Sequence, residues 1–251
     1  AALRSRSREE MRSLIDKAPP VVIDLSLDDY MTQKEATSLW TQIRHAYGYL
    51  MRAKYPFQLW LTGLDELNGK IIHFTKKESG YDNWLLKKTT KSYEEVFDRK
   101  DIVYLTADSE TILSTLDPKT IYVIGGIVDH NRHKSLCLNI ANEKKVRTAQ
   151  LPISQYLKGC TRNVITVNQV FHILLKYQEL KDWGEAFMAV MPARKGYKLR
   201  ESEPEPADRS TGSKKTKHNR SDTCKKRKQN RSDTCTTSEA DINLKTQTLT
   251  S

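Results

Sequence analysis

The residues with the most chemical capacity are crowded into one stretch, Ile121–Ser135, IYVIGGIVDHNRHKS. Ile121–Ile124 reads as a short buried strand. Gly125 and Gly126 follow, then Ile127 and Val128, and the next seven positions are all polar: Asp129, His130, Asn131, Arg132, His133, Lys134 and Ser135. Paired glycines allow backbone conformations that residues with a Cβ avoid, and they let a ligand approach the main chain. A polar cluster past the carboxyl end of a strand is where open α/β sheets place their ligand sites. The pattern equally fits a glycine turn running into a solvated loop, and on this stretch alone both readings stand.

Several chemistries can be set aside. A strand followed by two glycines brings a dinucleotide to mind, but no GxGxxG occurs, because Ile, Val and Asp follow Gly126. No GxxxxGK[ST] phosphate loop is present either. Asp129, His130 and His133, with Cys137 as a distant fourth ligand, match no closed zinc pattern, so no metal is expected. Nucleophilic catalysis lacks a GxSxG elbow, and nothing ties Cys137 or Cys160 to a base.

The elements that must position this stretch alternate between strand and helix. Val21–Leu25, Phe57–Thr62, Ile102–Leu105, Ile121–Ile124 and Arg147–Leu151 read as strands, with Ile71–Phe74 as a further short one. Thr32–Lys54 is a long helix with Ala36, Leu39, Trp40, Ile43, Tyr47 and Leu50 on one face. One or two short helices fall in Tyr81–Phe97. Further helices are expected at Glu110–Leu116 behind an N-cap-like TADS, at Lys134–Lys145, Ser154–Lys158, Val167–Leu180 and Asp182–Val190, with Asn163–Thr166 extended. Such alternation implies βαβ units: an α/β fold with a mostly parallel sheet and helices on both faces.

Charge divides the chain differently. The 251 residues carry a formal net charge of +11 with a sequence pI near 9.4. Val21–Ala193 holds 22 Lys and Arg against 20 Asp and Glu, whereas Arg194–Arg231 holds 14 against 5. The expected organisation is a basic arm over 1–20, one domain over 21–196, and a disordered basic tail over 197–251 with a repeated NRSDTC flanking KKRK. The arm reads as a helical RNA contact or as a frayed solvated extension. A polyanionic partner fits the tail, with salt-sensitive affinity and no sequence information. Four scattered cysteines without a CxxC fit a reducing compartment, and no apolar run approaches membrane-spanning length. Nucleus or cytoplasm is the expected location, and no membrane partner is expected.

IYVIGGIVDHNRHK, with YLTADS before it and AQLPISQYL, NVITVNQVF, DWGEAF and PARKG after it, closely resembles one family. These blocks, in this order and spacing, resemble the tRNA purine-9 N1-methyltransferases, a branch of the trefoil-knotted (SPOUT) methyltransferases that use S-adenosylmethionine. The likeness runs from about Val21 to Gly196 and is strongest to animal non-mitochondrial members. It implies a six-stranded parallel sheet with a C-terminal trefoil knot, a bent S-adenosylmethionine lying in the knot, tRNA as partner, and action as a monomer. Carried over position by position, it implies a cofactor pocket of Leu105, Thr106, Gly126, the loop His130, Asn131, Arg132, His133 and Lys134, then Cys137, Leu138, Leu151, Val164, Ile165 and Thr166. It implies Asp129 as general base. Arg132 and Lys134 are candidates for substrate phosphate or base edges, and Gln58 for the target nucleotide, beside plain solvated-loop and strand-edge roles.

The leading expectation is therefore S-adenosylmethionine-dependent methylation of N1 of guanine 9 in tRNA. The alternative is a non-catalytic tRNA-binding platform that keeps the fold. A dinucleotide-dependent oxidoreductase comes third, disfavoured by the missing glycine fingerprint.

Overall fold

A computed structural model describes residues 6–130, 132–158, 165–191 and 197–200. The chain begins with helix α1 (Arg8–Asp16), strand β1 (Pro20–Asp24), helix α2 (Gln33–Leu50), strand β2 (Gln58–Thr62) and helix α3 (Lys70–Thr75). Strand β3 (Lys87–Lys88), helix α4 (Tyr93–Val96), β4 (Ile102–Leu105) and β5 (Ile121–Gly125) follow. Then come α5 (Leu136–Glu143), β6 (Arg147–Ala149), α6 (Ile153–Tyr156), β7 (Leu157–Lys158), α7 (Val167–Leu180), α8 (Trp183–Val190) and β8 (Lys198–Leu199).

Six strands form one parallel sheet in the order β3-β2-β1-β5-β4-β6. The three central strands alternate strictly. Ile23, Ile124 and Leu105 share one register line and face the cluster built by α1, α2, α7 and α8; Val22, Val123 and Tyr104 share the next line and face Tyr93 and Ala141 on α4 and α5. Residues at i and i+2 of a strand lie on one face, so an all-apolar run is what a sheet covered on both sides requires. Each fully buried Ile or Leu of these strands contributes roughly 1.5–3 kcal/mol.

The helices are started by their own side chains. Thr32 and Glu35 form a reciprocal capping box at α2, as do Thr166 and Gln169 at α7 and Ser7 and Glu10 at α1. The α2 stripe is buried as expected, Ala36, Leu39, Trp40, Ile43 and Leu50 with Ala46 added, while Tyr47 is half-buried and stacks on Trp84 at 4.3 Å. The two long helices are also locked together: Gln42 Oε1 accepts the backbone N–H of Val167, 2.9 Å away, satisfying one of the free donors of the α7 start.

Several expectations need correction. Ile71–Phe74 lies inside helix α3, not in a strand. Glu110–Leu116 is not helical. There Ile112 pairs with Gln150 as an isolated bridge, Leu113 N donates to Gln150 O and Gln150 N to Thr111 O, so the sheet edge takes the backbone groups a helix would have used. Ser154–Lys158 divides into the end of α6 and strand β7. That strand pairs antiparallel with β8, so Lys198–Leu199 belongs to the fold rather than to a structureless tail starting at 197. From Arg6 onward the arm is not wholly solvated, since Met11 and Ile15 of α1 are buried in the core. The knot expected from the resemblance depends on the path through 159–164, which lies outside the described residues, as do Cys160, the NRSDTC repeats and KKRK.

Candidate active site

The carboxyl ends of β4, β5 and β6 open into a cleft of ≈ 160 Å³. Its walls are the turn after β4 (Leu105–Asp108), the glycine end and outgoing loop of β5, the Gln150–Ile153 stretch, and the first turn of α7 with Ile165 before it. Of the expected cofactor residues, Leu105, Thr106, His133, Cys137, Leu151 and Ile165 line this space, and so does Asp129. Gly126, His130, Arg132, Lys134, Leu138 and Thr166 do not; Gly125, Leu136 and Val167 stand in the neighbouring positions instead. Asn131 and Val164 lie outside the described residues. Sequence reasoning missed Asp108, Ile127, Gln150, Ile153 and Val170. An aspartate three residues past a strand end was the available signal for Asp108, and nothing local pointed to Val170.

Among the described residues, two carboxylates, Asp108 and Asp129, line the cleft, and no lysine or arginine does. The rest of the lining is largely aliphatic. Such a site disfavours a pyrophosphate-bearing dinucleotide and suits a ligand with an apolar body and a positive centre, because unlike charges attract strongly where water is partly excluded. The residues present therefore fit a sulfonium cofactor. Among the described residues no group of three or more His, Cys, Asp or Glu side chains could hold a metal ion.

The two glycines serve the protein's own packing. Neither has a left-handed backbone. A Cβ on Gly125 would stand 2.7 Å from Cys137 Sγ and 3.1 Å from the Tyr104 hydroxyl; one on Gly126 would stand 2.5 Å from the carbonyl oxygen of Asp24. Gly126 N also donates to that carbonyl at 2.8 Å, drawing the outgoing chain across the end of β1. Close approach is the reason for the pair, but the approaching group is β1 and a thiol.

Beneath Gly125 lies a buried polar cluster. Asp24 is fully buried; its Oδ1 accepts from Ser26 N at 3.1 Å and its Oδ2 from the Tyr104 hydroxyl at 3.2 Å. Burial raises the Asp24 carboxyl above its ordinary range, an effect these hydrogen bonds only partly offset. Burial likewise pushes the Cys137 thiol up to about 12, so at neutral pH it is protonated and a poor nucleophile.

The loop after β5 is held by side-chain ties. Asp129 Oδ2 accepts the backbone N–H of His133 at 2.9 Å, and Asp129 O accepts Arg132 N at 3.0 Å, which closes a turn. His130 and Ser135 bracket it in left-handed conformations, φ 51° and 52°. Arg132 is bound by the protein itself. Its guanidinium forms a two-pronged bond to Glu35, 2.8 Å to Oε1 and 3.0 Å to Oε2, and also donates to Tyr30 O at 3.0 Å. The Arg132 bonds and the N–H of Thr32 hold the Glu35 carboxyl down at about 2. His133 meets the Tyr30 ring edge-on at 5.4 Å, and Val128 N reaches Met31 Sδ at 3.3 Å. Glu35 thus caps α2 and anchors the loop at once; only its capping role could be read from TxxE. Lys134 is exposed on the rim. Gln58 opens β2 at the opposite end of the sheet from the cleft, where its Oε1 accepts from Trp60 Nε1 at 2.7 Å.

A family model described as tRNA (guanine(9)-N(1))-methyltransferase TRM10/TRM10A matches residues 2–196. A tRNA (guanine(9)-N1)-methyltransferase of Schizosaccharomyces pombe is 39% identical over 201 residues, 79% of this chain and 66% of that protein. The tRNA methyltransferase 10 homolog A of Homo sapiens is 38% identical over 186 residues, 74% of this chain and 54% of the relative. The crystal structure of spTrm10(74) is similar at a TM-score of 0.64 and 41% identity, covering 69% of this chain and 94% of that one. The full-length spTrm10–SAH complex is similar at 0.64 and 38%, covering 70% and 97%. The chain spans between 54% and 66% of the length of these two curated relatives. By the match over residues 2–196, this chain belongs to the tRNA (guanine(9)-N(1))-methyltransferase TRM10/TRM10A family.

Proposed function

We propose that this chain transfers a methyl group from S-adenosylmethionine to N1 of guanine 9 in tRNA, using the cleft at the ends of β4, β5 and β6. The observation that carries the reading is the lining among the described residues: aliphatic walls, two carboxylates, no lysine or arginine, and Asp129 at the start of the tied loop. The names of the relatives and the SAH complex of spTrm10 support the same chemistry.

Leu105, Leu151, Ile165 and Val167 would hold the apolar parts of the cofactor, and the carboxylate of Asp108 would favour its positive end. When bound, S-adenosylmethionine supplies an electrophilic methyl group and needs no metal. The N1 of neutral guanine carries a proton. Asp129 would accept that proton while the electron pair left on N1 forms the new N–C bond; the methyl group's bond to the sulfonium breaks, its electron pair stays on the sulfur of the departing S-adenosylhomocysteine, and the proton passes on to water. The His133 N–H on Oδ2 fixes the plane of the Asp129 carboxylate, so the acceptor is oriented before the base arrives.

The test is incubation of the purified chain with methyl-labelled S-adenosylmethionine and a tRNA transcript carrying G9, followed by nuclease digestion and mass spectrometry. One N1-methylguanosine at position 9 is expected, and none in a transcript with uridine there. Label at another position would sink the assignment to guanine 9; no label, with bound SAH demonstrated by calorimetry, would sink methyl transfer and favour a non-catalytic tRNA platform.

A further inference from the structure

A second pocket lies away from the cleft, in the seam between the carboxyl-terminal halves of α2 and α7. It measures ≈ 240 Å³ and is lined by Tyr49, Arg52, Lys54, His172, Lys176 and Glu179, among others. Tyr49 and His172 stack face to face, 3.9 Å between centroids and 10° between planes, and the Arg52 guanidinium sits 5.7 Å over the Tyr49 ring. Arg52 and Lys54 are exposed, and Lys54 lies over Tyr55, itself 48% exposed. Lys176 bonds Glu179 at 2.9 Å, the one acid among the described lining residues. Arg6, in the arm before α1, donates to Ala53 O and Lys54 O at 3.0 and 2.9 Å. That places a positive charge just beyond the carboxyl end of α2, where the negative end of the helix dipole would otherwise repel an anion.

The core of this chain is almost electrically neutral, so four cations around one pocket with a single acid form a local concentration rather than a share of a general excess. The mechanism leaves all of them unused. Guanidinium and ammonium groups set among aromatic rings are what RNA-binding surfaces use to hold backbone phosphates beside bases. The seam also leads from the cleft. Val167 lines the cleft and bonds Gln42, and Tyr49 follows Gln42 by seven residues, a helical rise of about 10 Å.

We propose that this α2–α7 pocket is a second docking point for the substrate RNA, holding phosphates of the same tRNA whose target base enters the cleft. The proposal rests on the reading of the substrate as tRNA. Arg52 and Lys54 receive phosphate oxygens; Lys176, tethered by Glu179, completes the positive floor; Arg6 joins the arm to the pocket. Its task is orientation and affinity, with no sequence preference and no part in methyl transfer.

The test measures tRNA affinity against salt concentration for the full chain, for Arg52→Ala/Lys54→Ala/Lys176→Ala, and for Lys87→Ala/Lys100→Ala/Lys119→Ala, which removes equal charge elsewhere. The seam variant should bind at least ten-fold more weakly at physiological salt, with a log–log salt slope shallower by roughly 2. It should keep native SAH affinity and native single-turnover rate at saturating tRNA. The control triple should shift much less. Because Arg52 and Lys176 touch a ring and a carboxylate, Arg52→Lys/Lys54→Arg/Lys176→Arg is measured in parallel; it disturbs the same packing, keeps the charge, and should bind like the native chain. Native affinity in the alanine variant, equal losses in seam and control triples, or equal losses in the alanine and charge-keeping variants would overturn the docking point. Failure of the native chain to bind tRNA at all would instead remove the proposed function beneath it.

Discussion

Strand β5 and the loop that leaves it follow one another in the chain but hold their shapes by different means. Ile121–Ile124 is buried on both sides and hydrogen-bonded along β1 and β4. From Asp129 onward the described loop residues depend on a few side-chain ties: Asp129 to His133 N, Arg132 to Glu35 and Tyr30, and an edge-on ring contact. In a strand, stability is spread over many contacts; in this loop, position hangs on three or four. Substitutions in the strand should therefore cost stability and leave chemistry alone, while substitutions in the loop should do the reverse.

The largest expected effect is at Asp129. Asp129→Asn keeps the shape and an oxygen to accept His133 N, but it loses the ability to take a proton. The single-turnover rate with guanine should fall about 10²–10⁴-fold, with SAH affinity and melting temperature unchanged. A variant that kept most of its rate would show that the loop only positions the reactants. At the other pole, Ile121→Ala at the cleft-distal end of β5 should destabilise by about 2–4 kcal/mol in denaturant titration, with an unchanged rate per folded molecule.

The glycines between strand and loop test where one regime passes into the other. Gly126→Ala meets the Asp24 carbonyl, which cannot move without disturbing β1, and should cost about 1–3 kcal/mol that no neighbouring truncation relieves. Gly125→Ala meets the Cys137 thiol first, so Gly125→Ala/Cys137→Ala should recover much of what the single variant loses, read as a coupling energy in a double-mutant cycle. Additive effects would mean the strand end had moved as a whole.

A smaller effect is expected from Arg132→Met, which frees the loop without touching the cleft. The rate should drop roughly ten-fold, since misplacement of reacting groups costs rate even when the groups remain. The pH dependence carries a sign. The Glu35 carboxyl is held at about 2, below its ordinary 4.5, so its bonds stabilise the fold above that ordinary value and are lost as pH falls toward 2. Arg132→Met should flatten the acid limb of the stability profile over that range; an unchanged limb would show that the Thr32 bonds suffice. Smallest of all, deleting 201–251 should leave melting temperature and SAH affinity as they were, with a modest salt-dependent loss of tRNA affinity. Deleting from 197 removes β8 and should lower the melting temperature measurably.

The same contrast governs what could be read from the residues alone. The central strands and α2 announce themselves because burial on two faces or on one stripe leaves a periodic trace. Their order in the sheet leaves none, since pairing β1 with β5 is a contact across about a hundred residues. Glu110–Leu116 carries good helix signals and lost them to a pairing with Gln150 that nothing nearby foretells. Around the cleft, Asp129, Thr106 and Leu151 were found because the family blocks carry them. Arg132 read as a candidate for substrate phosphate or base edges, or as a solvated loop residue; neither reading held its bond to Glu35, which lies 97 positions earlier. The glycine pair was rightly taken as a place of close approach, but whether ligand or protein does the approaching is a property of the fold.

The strand order also bears on how the chain is made. β1, β2 and β3 emerge from the ribosome first and can pair with one another, yet the other side of β1 has no partner until β5 is synthesised. Meanwhile Val21, Val22 and Ile23, which end fully buried, line an open edge of the kind that templates aggregation. The nascent chain must therefore wait through the whole β3–β4 region with a strand destined for full burial half-covered. Holdase chaperones acting on that interval, and codon usage between positions 26 and 120, become levers on yield that the folded chain does not reveal.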